Sequence, residues 1–459
     1  MTESEHISTL KGIVDTQAQQ IKSLEEKVLL LLVELQKKTV RKDSSNSSLP
    51  PSSDFFNKNK SLRTSSELKS GGQQGHQGTT LPMSSTPDKV IDLKDSFCNI
   101  CGQSLSNAIF VLKAKRQVVE LPPMIPIYEE FRQYACECPT CKHFQVADFP
   151  VGVNAPIQYG NIVESLISYL SVYQYIPFKR LKNIFSQVFS IPLSEGTIGN
   201  ILERSAQKCQ LVYQQIKAEI AKSSVVGSDE TGAKVKGQKW WIWVWQNALN
   251  TFMVASDNRG DRRYGSKTID RIWANGLPNS VLISDRWSAQ LKVHTHGKQI
   301  CLAHLLRDLN YLIEAENHQF ATQFKELLVD VFDTKRQLLF NQKTYQIDSP
   351  EAIRLETLIN EALLLTVDSE KCPKTLTFQV SMLKCRNYLL PCIYYLEIPP
   401  DNNGSERAIR TIKVKQKVSG QFKTGQNAFC VIRSVIDTLI KRGVEVLPCL
   451  NQIIKLQAV

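Results

Sequence analysis

The chain has 459 residues, 42% apolar and 22% charged, which is room for several domains with ordinary cores and excludes wholesale disorder. No apolar run exceeds the six residues of Val28–Val33, far short of the ~20 a membrane span needs, and the opening Met-Thr-Glu-Ser-Glu-His lacks the pattern of a secretory leader. The expectation is a cytoplasmic protein with no membrane partner, and Lys+Arg at 56 against Asp+Glu at 44, a formal charge of +12, points to a polyanionic one.

Residues 1–42 carry a heptad. Ile7, Val14, Ile21, Val28 and Leu35 fall on one seam position, and Leu10, Gln17, Leu24 and Leu31 on the other. β-Branched residues at the first and Leu at the second favour a parallel two-stranded coiled coil, with Gln17 as a register device. The alternative is an amphipathic helix packed on its own chain. Residues 43–90 are Ser-, Gly-, Pro- and Gln-rich and hold no apolar period, so no packed core is expected there. Around them Lys37, Lys38, Arg41, Lys42, Lys58, Lys60, Arg63 and Lys69 outnumber Asp43, Asp54 and Glu67. That is either a solvated linker or a basic arm for DNA phosphates.

Residues 91–148 read as a zinc-binding module. Five of the twelve cysteines lie between Cys98 and Cys141, and a cytoplasm keeps thiols reduced, so metal is the better reading than disulfides. Cys98 and Cys101, with Cys138 and Cys141, form two Cys-x-x-Cys hooks that could supply the four thiolates of a structural Zn²⁺. Gly102 and Pro139 suit the tight turns, and Cys136 is a spare that could replace Cys138. Between the hooks, 108–113 and 115–121 read as strands.

Residues 149–220 are helical in pattern. Pro177 suits a first helical turn and Ser194 an N-cap. Two short helices across a tight turn look like a helix-turn-helix that would turn Thr197 and Asn200 toward a groove, although many helical hairpins look the same. From 221 to 300 the texture is strands: 224–229 ending in Asp229, then 239–245, 250–256, and 280–285 ending in Asp285, with Lys236-Gly237-Gln238 as a turn. Residues 301–398 read as helical. Residues 399–459 return with a helix capped by Asn402, Asn403 or Ser405 and bearing Glu406.

Two carboxylates at the ends of neighbouring strands can share hard divalent cations, and a third is needed to close such a site. Asp229, Asp285 and Glu406 are the candidates. Adjacent strand residues point oppositely, so Glu230 is passed over in favour of Asp229. Helical spacing aligns Glu406, Arg410, Lys413 and Lys417, one metal ligand followed by three cations for a phosphate-bearing substrate. The plainer reading of that face is an exposed Glu406–Arg410 pair.

The segments SDETG (228–232), ISDRWSAQ (283–290), CLAHLLRDL (301–309) and DNNGSERAIRTIKVKQKVSGQF (401–422) resemble DDE transposases of the insertion-sequence-66 family. NSSLPPSSD, GGQQGHQG, the paired hooks and YLSVYQYIPFKRL upstream resemble it too, in the same order, so that the likeness covers roughly 41–450. Gln290 departs from it, standing where an aromatic residue is expected. The resemblance implies a multi-domain α+β protein: a ribonuclease-H-like mixed α/β catalytic core with a helical insertion, preceded by coiled coil, zinc module and helical DNA-binding region. It implies Mg²⁺ or Mn²⁺ on Asp229, Asp285 and Glu406. Cys301 and His304 look like a Cys-x-x-His pair found after the second Asp in related transposases. Two ligands do not make a zinc site, so they are read as local structure, with His304 and Arg307 near DNA.

In such a site one ion activates water or a DNA 3′-hydroxyl and the other stabilises the leaving oxygen. The function implied is a bacterial transposase that cleaves the ends of a mobile element and joins them to target DNA. It would act as a homodimer or higher homo-oligomer, with small accessory proteins encoded beside the gene, and associate with the nucleoid when on DNA. The alternatives are a nuclease that does not join, or a non-catalytic DNA-binding regulator; three intact carboxylates argue against the last.

Overall fold

The heptad residues lie on one unbroken helix, α1 (Glu3–Thr39). The computed structural model describes residues 3–39, 42–43, 46–47, 75, 81–259, 267–423 and 425–456. Arg41, Lys58, Lys60, Arg63 and Lys69 of the basic linker therefore lie outside the described residues. Val14, Ile21, Leu24, Val28 and Leu31 of the seam are 53–60% exposed, so at these positions the helix does not pack on its own chain. No described helix is long and apolar enough to cross a membrane.

The chain forms two compact units, Asn59–Ile127 and the remainder, Met1–Lys58 with Tyr128–Val459. The described part of the smaller unit is extended and irregular. Its fixed points include a bridge between Phe97 and Ser104 and two bonds between Ser84 and Gln117, the Ser84 N–H donating to Gln117 Oε1 at 2.7 Å and Gln117 Nε2 to the Ser84 carbonyl at 2.8 Å. The strands expected over 108–113 and 115–121 do not form, because neither finds a ladder partner among the described residues.

In the larger unit a short hairpin, β1 (Ala135–Glu137) and β2 (Phe144–Val146), carries the second Cys hook. α2 (Asn161–Ser168) runs into a π-turn at Tyr169–Tyr173, followed by α3 (Phe178–Val188), α4 (Glu195–Lys208) and α5 (Gln210–Ala221). Pro177 stands one place earlier than expected, at the N-cap of α3. Ser194 caps α4 by accepting from the Thr197 N–H at 2.9 Å.

The core sheet contains β3 (Val225–Val235), β4 (Gln238–Gln246), β5 (Thr251–Ser256), β6 (Leu277–Ser284) and β7 (Thr295–Ile300) in the order β5-β4-β3-β6-β7. β3, β4 and β5 pair antiparallel, whereas β3–β6 and β6–β7 are parallel. Lys236 and Gly237 join β3 to β4, both at positive φ (49° and 79°), the backbone that a two-residue hairpin requires. β4 is covered on both faces: Ile242, Trp243, Val244 and Trp245 are all fully buried. Trp245 meets Trp273 edge-on at 5.6 Å, so Trp243 and Trp245 are core, while Trp240 and Trp241 are half-buried. Short helices α6 (Lys267–Ile272) and α7 (Ser288–Leu291) flank β6.

Between β7 and the Glu406 helix lie α8 (Leu302–Glu316), α9 (Gln319–Asn341), α10 (Pro350–Leu363), α11 (Pro373–Lys384) and α12 (Pro391–Tyr394). They share an apolar cluster that includes Leu309, Phe320, Phe324, Ile359, Phe378 and Met382 and extends to Ile283 of β6 and Ile300 of β7. Lys335, 2% exposed, ties α9 to α12 by donating to the carbonyls of Cys392, Tyr395 and Leu396 at 2.8–3.0 Å. The chain then returns to the sheet as α13 (Asn403–Ser419), α14 (Gln426–Lys441) and α15 (Val446–Leu456). On α14, Ser434 and Thr438 accept from the Met253 and Thr251 N–H groups, so a helix satisfies the open edge of β5.

Candidate active site

Asp229 does not end its strand: β3 runs six residues further, to Val235. The expectation failed because β3 has two partners of different reach. Its parallel pairing with β6 stops at Gly227–Ile283, while the antiparallel ladder with β4 continues to Val235. Asp229 thus lies where β3 outruns β6, and Asp285 lies just past the end of β6. Asp285 Oδ1 accepts from the Trp287 N–H at 2.8 Å, which orients the carboxylate.

Glu406 arrives in the first turn of α13. The side chains of Asn402, Asn403 and Ser405 do not cap this helix; Asn402 occupies the N-cap position but is used elsewhere. Its Nδ2 donates to the Ser228 carbonyl at 2.7 Å, its Oδ1 accepts from Ser405 Oγ at 2.7 Å, and its N–H points at Cys301 Sγ at 3.2 Å. The helix is therefore pinned to the residue before Asp229 and to the start of α8. The approach is close: a Cβ on Gly227 would sit 2.5 Å from Gln246 Nε2 and 2.8 Å from both Asn402 Oδ1 and Ser405 Oγ.

This docking gathers the charges. Burial pushes the Asp229 carboxyl well above its usual range, and Glu230, Asp285 and Glu406 push the same way; the Glu230 N–H, donating to Oδ1 at 2.8 Å, opposes them. Glu406 Oε1 is shut from solvent and accepts no hydrogen bond. Its basic neighbours stand back, His304 Nε2 at 3.7 Å and Arg307 Nη1 at 3.6 Å. Burial lowers the His304 imidazole, and Glu406 opposes that. No Glu406–Arg410 pair forms among the described residues.

Glu230 has side-chain partners of its own. Its Oε1 accepts from Arg259 Nε and Nη2 at 2.9 and 2.7 Å, and its Oε2 from Gln290 Nε2 at 2.9 Å. Arg259 in turn stacks over Trp241 and Trp287, at 4.7 and 3.8 Å from the ring centres. Burial and Asp285 raise the Glu230 carboxyl to about 7, against the pull of Arg259. Gln290, unexpected by resemblance, is a fully buried partner of Glu230.

Residues 157–429 match the transposase IS66 family, and 5–82 match a family of unknown function, DUF6444. The chain belongs to the IS66 family of transposases. The family implies a protein that acts on DNA, and the matched span contains β3, β6 and α13 with all three carboxylates. No curated protein matches the chain.

As donors, the carboxylates of this family member suit a hard divalent cation: they are oxygen ligands whose mutual repulsion a 2+ charge would relieve, and one oxygen is buried without a partner. Arg410 and Lys417 are exposed on α13. Lys413 is not a free cation, since its ammonium reaches the Gly232 carbonyl at 3.3 Å and burial lowers its pKa. On α4, Asn200 is exposed, while the Thr197 hydroxyl lies 2.8 Å from Ser194 Oγ. On α3, Lys179, Arg180 and Lys182 are exposed.

The two Cys hooks, each taken separately, have one backbone pattern. The Cys98 carbonyl accepts from Gly102 at 2.9 Å and its N–H donates to Gln103 at 2.8 Å; the Cys138 carbonyl accepts from Lys142 at 2.9 Å and its N–H donates to His143 at 2.8 Å. Gly102 and Lys142 both take positive φ, 72° and 59°. In each turn the N–H groups two and three residues on lower the first thiol, Cys101 and Ile100 acting on Cys98 and Cys141 and Thr140 on Cys138. Cys136 lies outside the second turn, on β1, with Gln145 Nε2 at 3.7 Å from its sulfur.

Proposed function

We propose that the chain is a DDE transposase that cleaves the ends of a mobile DNA element and transfers them to target DNA. Asp229, Asp285 and Glu406 would hold Mg²⁺ or Mn²⁺. The observation that carries the reading is a buried Asp229 carboxyl within electrostatic reach of both Asp285 and Glu406, together with a Glu406 oxygen that is shut from solvent and has no hydrogen-bond donor. The sheet supports a ribonuclease-H-like core: numbered from β3, its order is 3-2-1-4-5, with an antiparallel first half and a parallel second half.

Bound ions supply Lewis-acid activation of the attacking hydroxyl and charge relief at the leaving oxygen. The chain's own residues position. Asn402 fixes α13 against β3, the Trp287 N–H sets the Asp285 carboxylate, and Arg259 with Gln290 keeps Glu230 out of the ligand set. Arg307, with His304 beside Glu406, stands where a phosphate would enter, and Arg410 and Lys417 extend positive charge along α13. Thr197 and Asn200 remain candidates for end recognition. The exposed seam of α1 supports a coiled-coil homo-oligomer that brings two DNA ends together. Cys98, Cys101, Cys138 and Cys141 would hold structural Zn²⁺, a reading supported by the shape of each turn. Accessory proteins from neighbouring genes, and a cytoplasmic site of action on the nucleoid, complete the proposal.

The deciding test is movement of a marked cassette bounded by the repeats that flank the gene, in cells supplying the neighbouring proteins. Wild type is compared with Glu406→Gln at equal accumulation. Loss of the ligand should lower movement on the order of 10³-fold, the weight of several kcal/mol of charge stabilisation. Equal movement with both would remove Glu406 from the site. Specific end binding without movement by wild type would turn the reading toward a regulator.

A further inference from the structure

Cys301, His304 and Glu406 form a donor set of which the carboxylate reading uses only Glu406. Cys301 is the N-cap residue of α8 and His304 lies in the first turn, so Cys-x-x-His spacing places thiol and imidazole together at one helix end. α13 brings Glu406 against them. One ligand atom from each residue lies within 4.8 Å of the other two. Around a tetrahedral zinc the donor pairs stand roughly 3.3–3.7 Å apart, and His304 and Glu406 are already at 3.7 Å. Side-chain movements of about 1 Å would close the rest.

The chemistry of the set selects the ion. Thiolate, imidazole and carboxylate together suit a borderline-soft cation, whereas Mg²⁺ keeps to oxygen. Two of the three residues hold a donor atom without a partner, His304 Nδ1 and Glu406 Oε1, both shut from solvent, while the fully buried Cys301 sulfur accepts from the Asn402 N–H at 3.2 Å.

We propose that Zn²⁺ binds Cys301, His304 and Glu406, leaving a fourth position open, and that in doing so it withdraws Glu406 from the catalytic carboxylates and stops cleavage. On binding, the Cys301 thiol releases its proton to solvent and its sulfur bonds the metal as thiolate. The inhibitory half rests on the catalytic role proposed for Glu406; the binding half does not.

The test uses the full-length protein with one equivalent of Zn²⁺ already bound, titrated with Co²⁺ as a visible stand-in. Wild type should take up a further ion with a thiolate-to-cobalt charge-transfer band that Cys301→Ser lacks. His304→Gln should keep that band but need at least about tenfold more Co²⁺. The hook cysteines are the same in all three proteins and cancel in the difference spectra. Circular dichroism checks the fold, and should Cys301→Ser fail to fold, His304→Gln carries the comparison. Identical spectra and stoichiometry across the three would overturn the site.

The second arm measures Mg²⁺-dependent end cleavage, each protein against its own rate before Zn²⁺ is added. Zn²⁺ should slow wild type at least about tenfold and Cys301→Ser less than about twofold. A cobalt band with no inhibition of wild type would sink the sharing of Glu406. Absence of cleavage even without Zn²⁺ would refute the catalytic reading and the inhibition with it, while the cobalt band alone decides the site.

Discussion

Asp229 and Asp285 occupy equivalent places on neighbouring parallel strands: Gly227 pairs with Ile283, and each aspartate follows its own strand's member of that pair by two residues. Two residues is one full pleat, so the Asp229 side chain repeats the facing of Gly227, while Asp285, just past the end of β6, is oriented by the Trp287 N–H at 2.8 Å. The third carboxylate has no such register to rely on. Its place depends on how α13 is fastened.

Asn402→Ala tests that fastening. It leaves the Ser228 carbonyl and the Ser405 hydroxyl without their partner. Stability should fall by about 1–3 kcal/mol, read as the shift in a denaturant midpoint. Cleavage should fall further than stability explains, on the order of 10²-fold, because a displacement of about 1 Å at the reacting groups has that effect. A stability loss with full cleavage would make Asn402 only a structural residue.

Gly227→Ala tests the same contact from the strand. The new methyl would meet three side chains at 2.5–2.8 Å. Gln246 can swing its amide away, but Asn402 and Ser405 belong to the docked helix start. Overpacking of this kind costs roughly 1–3 kcal/mol. Adding Gln246→Ala should recover only part of it in the same denaturation experiment; full recovery would show that α13 yields freely.

Arg259→Ala leaves Glu230 buried with Gln290 as its remaining side-chain partner. Breaking a buried pair costs about 3–5 kcal/mol. With the Arg259 side chain 35% exposed the loss should be smaller, roughly 2–3 kcal/mol after solvent screening. The double variant Arg259→Ala/Glu230→Gln should be more stable than Arg259→Ala alone. If the two melt together, the pair carries no coupling.

The seam of α1 predicts an oligomer that a single charge can break. Leu24→Asp should convert the full chain from a dimer or larger species to a monomer in sedimentation, with no change in the core's near-ultraviolet spectrum. An unchanged sedimentation profile would send the assembly role elsewhere in the chain.

Much of this was legible in the sequence because it is local. The heptad, the Cys turns, the Lys236-Gly237 hairpin and the Ser194 cap each depend on residues within one turn of each other. β7 escaped because Thr295–Ile300 is a polar run whose pairing partner, β6, lies elsewhere in the chain, and whose Gln299 is buried by bonds to the Ile300 and Leu389 carbonyls. The carboxylates could be named, but not their supports. Asn402 read as a cap and bonds Ser228, 174 residues away; Lys413 read as a phosphate contact and leans on Gly232, 181 away. Local signals reveal which groups are present, and long-range packing decides which remain available.

The helical insertion leaves and rejoins the core at one point, where the Leu302 N–H donates to the Pro400 carbonyl at 2.9 Å. An excursion whose ends meet transmits nothing of its length to the residues that follow. α8 has to stay, because it carries His304 and Arg307 beside Glu406 and packs in a cluster that includes Ile283 of β6 and Ile300 of β7, but α9 and α10 beyond it are free to lengthen, shrink or be exchanged over evolutionary time while Glu406 keeps its place. For protein engineering, a graft has to keep α8 and begin beyond Glu316.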